Sequence, residues 1–236
     1  MDRRRATFYR TRPHRPVDDR ACAGPTGRET LSNAGARLVS GVADRPSAGD
    51  GLAATLARSW FEVLVAPRRF FRERVVPGDQ APGLLFAMGV VLIVQSTRAA
   101  TGIAVGPGNP GSMAAQAFWI AVAVLFVTPA ALHLIAAFQT VLLIPLASDR
   151  GGVSETVQIL AYAAAPCALA GVPSVELRAL VGLYAAALLA IGLSTVHRIG
   201  LGRSLLVGAV PAFLSYGLGF GAVDAITTLL ARWYII

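Results

Sequence analysis

Charge is what this sequence has least of: 14% of its 236 residues are Asp, Glu, Lys or Arg, where a soluble domain carries about 25%. The shortage is local. Of thirteen acidic residues only Asp149, Glu155, Glu176 and Asp224 lie beyond position 80, and of 21 basic ones only Arg98, Arg150, Arg178, Arg198, Arg203 and Arg232 do. A chain that is 55% hydrophobic with so little charge in its last two thirds cannot cover itself with a water-soluble surface. Lysine is absent altogether, which reflects GC-rich coding as much as physics. Two cysteines, Cys22 in the charged part and Cys167 in an apolar run, exclude a disulfide framework. Three scattered histidines, His14, His133 and His197, offer no metal-ligand spacing. Intramembrane carboxylate pairs are lacking, as are Gly-x-Ser-x-Gly, His-Glu-x-x-His and P-loop patterns. Neither catalysis nor a cofactor is expected.

What is there falls into three parts. Residues 1–50 are rich in Arg, Gly, Pro, Asp and Ser without apolar period, so they cannot bury enough surface to offset ordering entropy and are expected to be a disordered tail. No apolar region follows Arg3, Arg4 and Arg5, which argues against a signal peptide; a misassigned start codon would account for the tail equally well. Residues 51–80 form an amphipathic pre-membrane segment. Leu52, Leu56, Trp60, Val63 and Leu64 recur at helical spacing, and Pro67 opens a second helix carrying Arg68, Arg69, Phe70, Phe71, Arg72 and Arg74. Arginines interleaved with aromatics suit a helix in the membrane interface, with Trp60, Phe70 and Phe71 at the acyl boundary and the four guanidinium groups among phosphates. The competing reading is a helix packed on the cytoplasmic end of the bundle.

Residues 81–236 hold five apolar stretches, at about 83–105, 116–143, 157–172, 179–196 and 205–230. They are long and uniformly apolar rather than alternating, so they read as helices that satisfy their backbone groups internally, not as barrel strands. The fold class expected is all-α: a polytopic bundle of about five transmembrane helices preceded by a short amphipathic interfacial helix. With the N-terminus cytoplasmic, Arg68, Arg69, Arg72, Arg74, Arg150, Arg198 and Arg203 fall inside, and Arg98, Arg178 and Arg232 outside, in keeping with the positive-inside rule. Trp119, Trp233 and Tyr234 then mark the outer interface, and five crossings put the C-terminus outside. The net charge of +8 sits mostly beside the apolar block, which points to anionic lipid rather than nucleic acid.

Several residues in this order resemble the Yip family (Ypt-interacting protein), most of all its archaeal membrane members. Pro67 with Phe70 and Phe71 resembles the family's pre-membrane proline–aromatic segment, and Ala131-Leu132-His133-Leu134 its leucine–histidine stretch. Gly151-Gly152-Val153-Ser154-Glu155-Thr156-Val157, followed by Ala161-Tyr162 and Pro166, is similar to its glycine turn and the span after it; Ile191-Gly192-Leu193 and His197 complete the order. The likeness covers about residues 58–230 and implies five transmembrane helices with a cytoplasmic N-terminus. Eukaryotic members bind Rab-type GTPases in vesicle traffic. This chain lacks their aspartate–leucine–tyrosine–glycine–proline segment and has Ala161 where glycine is common, so small-GTPase binding does not carry over.

Inside the apolar stretches, His133, Gln139 and Asp224 stand out, because burying charge in lipid costs several kcal/mol and intramembrane ionisable groups default to functional candidates. As a set with Gln95 they would line the path of a small permease or channel component. Read structurally, neutral His133 bonds a neighbouring carbonyl and Asp224 reaches the headgroups. Pro129 and Pro166 should kink their helices, Pro166 sharing its span with Tyr162. Gly217 and Gly221 form a small-xxx-small pair on which another helix could pack. The leading expectation is a non-enzymatic scaffold or partner-binding protein of the cell membrane, its partners the bilayer and other membrane proteins or a second copy.

Overall fold

The computed structural model describes residues 51–103, 105–107, 111–147 and 150–233; the tail expected at 1–50 and the interfacial Tyr234 lie outside the described residues. Two helices come first, α1 (Leu52–Val65) and α2 (Pro67–Arg74). They meet at Ala66, and Pro67 occupies the first turn of α2, where its missing N–H costs nothing. The first crossing is α3 (Ala81–Ala100) and the second α4 (Met113–Leu143). The third is a broken pair, α5 (Val153–Ala163) with a 3-10 segment Ala165–Gly171, bent by 45°. Then come α6 (Val175–Val196), α7 (Leu201–Gly219) and, after a turn, α8 (Ala222–Arg232). Among the described residues four helices are long and apolar enough to cross a membrane, five crossings with the broken pair counted as one.

Caps and breakers set the boundaries. Ser112 and Ser174 accept the N–H groups of Ala115 and Leu177 at 3.2 and 3.1 Å, closing the first turns of α4 and α6. By apolar composition the last stretch extends to residue 230. The chain instead leaves the helix at Phe220, and Gly221 takes a left-handed φ of 76° that side-chain-bearing residues avoid. Its apolar composition continues past the turn, which is why the break does not show in hydropathy. Gly221 is therefore a turn residue, and the expected helix-packing pair with Gly217 does not form. A Cβ on Gly217 would meet Phe213 of its own helix and Val223 of α8 just past the turn, and a closer approach between helices is at Gly182 of α6, where it would overlap Ala222.

Prolines shape two crossings. Pro129 has no N–H to offer one turn back, and just before it α4 widens into a π-turn, Ala123–Val127. Thr128 Oγ1 donates to Ala123 O at 2.8 Å and helps close the loosened turn. Pro211 in α7 instead precedes its π-turn, Phe213–Gly219. At the third crossing the helix ends at Ala163, three residues before Pro166. There Ala164 N–H bonds Ala161 O at 3.3 Å instead of Leu160 O, and the Tyr216 hydroxyl donates to Leu160 O at 2.9 Å.

The core centres on α5 and α6. Residues 156–168 of the third crossing are all buried, and α6 packs against α2, α5, α7, α8 and the 3-10 segment. Half of the apolar window of α6 is buried, against 11% for α4, which shows its apolar side chains outward. A helix so apolar and so exposed needs lipid as its solvent. Leu134, Phe126 and Met113 on α4 are 73%, 69% and 88% exposed.

Candidate functional site

The segment before the first crossing has two faces. Arg68, Arg69, Arg72 and Arg74 are exposed on α2, while Phe70 and Phe71, expected at the acyl boundary, point the other way and are buried at 3% and 1%. Phe70 stands edge-on to Tyr162 at 4.9 Å, and Phe71 packs where Gly192 and Ile159 leave room. The bundle supplies rings and small residues at that place, so the aromatics lose more water by turning inward than by lying in an interface. Interleaved arginine and aromatic residues are compatible with either face; the partner decides. Tyr162 takes its place in this aromatic cluster with Phe70 and Phe86.

Trp60 is half-buried, and its indole donates to Ala165 O at 2.8 Å, next to the break in the third crossing. Tyr184, halfway along α6, donates its hydroxyl to Leu64 O at 2.6 Å. α1 is thus fastened to the flank of the bundle by two bonds, each using a carbonyl near a helix end or break. The arginines of α2 are only lightly tied. Arg69 pairs with Glu73 at 3.1 Å and Arg74 with Glu62 at 3.0 Å, both solvent-facing, and such pairs contribute about 0–1 kcal/mol. Arg68 and Arg72 make no ion pair among the described residues. The result is a basic surface on a rigidly seated helix, able to hold phosphate or carboxylate groups.

Behind that surface lies a polar knot that composition did not reveal. Gln158, 1% exposed, receives Val76 N–H on Oε1 at 3.2 Å and donates from Nε2 to Val76 O at 2.7 Å. Its amide thus replaces a peptide partner and fixes the exit of α2 to the third crossing. A lone Gln in an apolar stretch was the available signal. His197, at the end of α6 and 1% exposed, accepts Gly151 N–H on Nδ1 at 3.1 Å. That bond puts the ring proton on Nε2, which lies 3.4 Å from Thr156 Oγ1. The Thr156 hydroxyl itself donates to Gly152 O at 3.0 Å. Burial pushes the His197 imidazole down to about 4, with Glu155 opposing and Arg150 adding to the shift. Neutral imidazole is what this knot requires.

The polar residues expected within the membrane do not converge. His133 Nδ1 lies 2.7 Å from Pro129 O in its own helix. Asp224 is 78% exposed in the first turn of α8 and faces Arg178 of α6 at 3.8 Å; nearby, Arg232 and Glu176 join the same two helices at 3.0 Å. Gln139 is fully buried with neither amide atom partnered among the described residues. Of the four proposed path residues, Gln95 alone lines the cavity between α3, α4 and α7. Arg98, expected to reach outward from the end of α3, lines that cavity too and is half-buried, because the two π-turns open space on the bundle side.

Compared with known proteins, residues 61–223 match the family model described as Yip1 domain. No curated protein and no solved structure matches the chain.

Proposed function

The chain belongs to the Yip1 domain family and is a multi-pass membrane protein; on that premise we propose that it works without chemistry, as a scaffold of the cell membrane. In this reading residues 51–80 are its cytoplasmic handle and the C-terminus is outside. Arg68, Arg69, Arg72 and Arg74 engage lipid phosphates, and the rest of the handle presents itself to another membrane protein or a second copy of the chain. The observation that supports it best is the division of α2, with Phe70 and Phe71 locked into the bundle and all four arginines outside. A helix held that firmly shows its charged face in a fixed position, at little further entropy cost on binding.

A photo-crosslinking residue at position 61 or 65, both exposed on the rest of the handle and activated in native membranes, should capture discrete protein neighbours, and charge reversal of the four arginines to Glu should abolish the capture. Adducts to lipid alone would refute the scaffold role. Topology reporters should invert or fade in the same charge-reversed variant; an unchanged topology would remove the arginines from that account. Solute flux in liposomes, abolished by His133→Leu or Asp224→Asn, would replace the scaffold with a permease.

A further inference from the structure

The cavity between α3, α4 and α7 holds about 190 Å³, and both proline-linked π-turns form its wall. Ala123, Val127 and Thr128 border it from the first, and Leu214, Ser215 and Gly219 from the second. Each π-turn carries an extra residue per turn and pushes the helix wall aside, a distortion often found where a helix bundle binds something. The cavity is amphipathic along its length. Toward the middle of the crossings it is walled by Ala87, Val91, Leu132, Ile135 and Leu160. At its other end stand Gln95 and Arg98, one turn apart near the end of α3.

Two polar groups there lack what polar groups in lipid need. Ser215 Oγ is shut off from solvent without a hydrogen-bond partner among the described residues. The Arg98 guanidinium makes no ion pair or hydrogen bond with them either, and the charge that acts on it is that of Arg178, of the same sign. Asp224, the carboxylate facing Arg178, sits across an exposed gap of 3.8 Å. A half-buried guanidinium without a counter-ion is costly in a low-dielectric setting and is relieved by an anion. Val127 and Leu214, 56% and 38% exposed at the rim, leave the apolar part open to lipid rather than to water.

We infer that this cavity is a binding site for an acyl-chain anion, with Arg98 and Ser215 holding the carboxylate or phosphate and the apolar wall taking the first part of the chain. Fatty acids and anionic phospholipids share that chemistry. Charge-assisted bonds from the guanidinium give the affinity, the hydroxyl adds a donor, and neutral amphiphiles gain neither. The inference does not depend on the scaffold role of the handle.

The test uses the full chain in phosphatidylcholine nanodiscs with three photoactivatable probes: an azido-oleate, its methyl ester, and a phosphatidic acid with the same azido chain. Labelled peptides are identified by mass spectrometry. Labelling is expected at residues 87–98 or 127–135 with one or both anionic probes, and which of the two labels identifies the source. The methyl ester should label these peptides about tenfold less. Arg98→Gln should bring about the same tenfold loss, Arg98→Lys should restore most of it, and Ser215→Ala should give a smaller loss. Ala131→Phe, which fills the apolar end without touching a charge, should abolish labelling, and Arg203→Gln, on an exposed residue away from the cavity, should leave it unchanged. Equal labelling by ester and acid, wild-type labelling of Arg98→Gln, or labelling confined to the bundle's lipid-facing surface would each overturn the site.

Discussion

At the His197 end of the bundle, a buried imidazole, a threonine and a glutamine each meet a group from another segment of the chain. At the Arg98 end, a half-buried guanidinium and an enclosed hydroxyl border a cavity and meet none among the described residues. Both sets lie in or beside apolar crossings, so hydropathy cannot tell them apart. The difference is in accounting for hydrogen bonds. Polar groups closed on the protein specify how its segments join, while polar groups left open specify what it can take up.

The largest effect that would break this contrast concerns Gln158. Gln158→Leu strands both the N–H and the C=O of Val76 beside the third crossing and should destabilise the folded protein by about 2–5 kcal/mol. Denaturation in mixed detergent micelles would measure it; a loss under about 1 kcal/mol would mean that the knot is not structural.

Acid should act next most strongly. The His197 imidazole is held at about 4 when folded and returns to about 6.5 when unfolded. The unfolded state therefore binds more protons between these values. The stabilisation is complete above pH 6.5 and is lost as pH falls toward 4, amounting to about 3 kcal/mol. In His197→Phe that part of the pH slope should vanish. A slope that persists in the variant would take the titration away from His197.

Gln139 is the exception at the knotted end, one position from the bonded Thr140 yet without a partner for its own amide among the described residues. Gln139→Leu should be neutral or stabilise by about 1 kcal/mol. A clear loss would show that the amide is used. The smallest effect belongs to Asp224→Asn. Its carboxylate is 78% exposed and 3.8 Å from Arg178, and the change should shift stability by less than about 0.5 kcal/mol.

The crossings were legible because lipid leaves few options: long apolar runs must be helices, and the runs near 83–105, 116–143 and 179–196 correspond to α3, α4 and α6. Pro67 as a helix start was legible from its fixed φ and missing N–H. Three things were not. Gly221 looks like a packing glycine until its positive φ is known, since Ala222 and Val223 continue the apolar pattern. Phe70 and Phe71 carry no mark of which side they face, because the groups that receive them, the Tyr162 ring and the gap at Gly192 and Ile159, come from far along the chain. The openness of Arg98 depends on two π-turns in other helices, and a π-turn leaves composition and hydropathy unchanged. Contacts between distant segments decided each of these.

The two-ended bundle is tested most directly by labelling single cysteines with a membrane-impermeant maleimide in sealed vesicles, on a background lacking Cys22 and Cys167. Cysteines placed at Gly151 and Gly200 should react from one side, and those at Gly111 and Ser174 from the other, because α4, the broken crossing and α6 separate them. Equal reactivity of positions 174 and 200 from a single side would mean that α6 does not cross, and the bundle described here would be wrong.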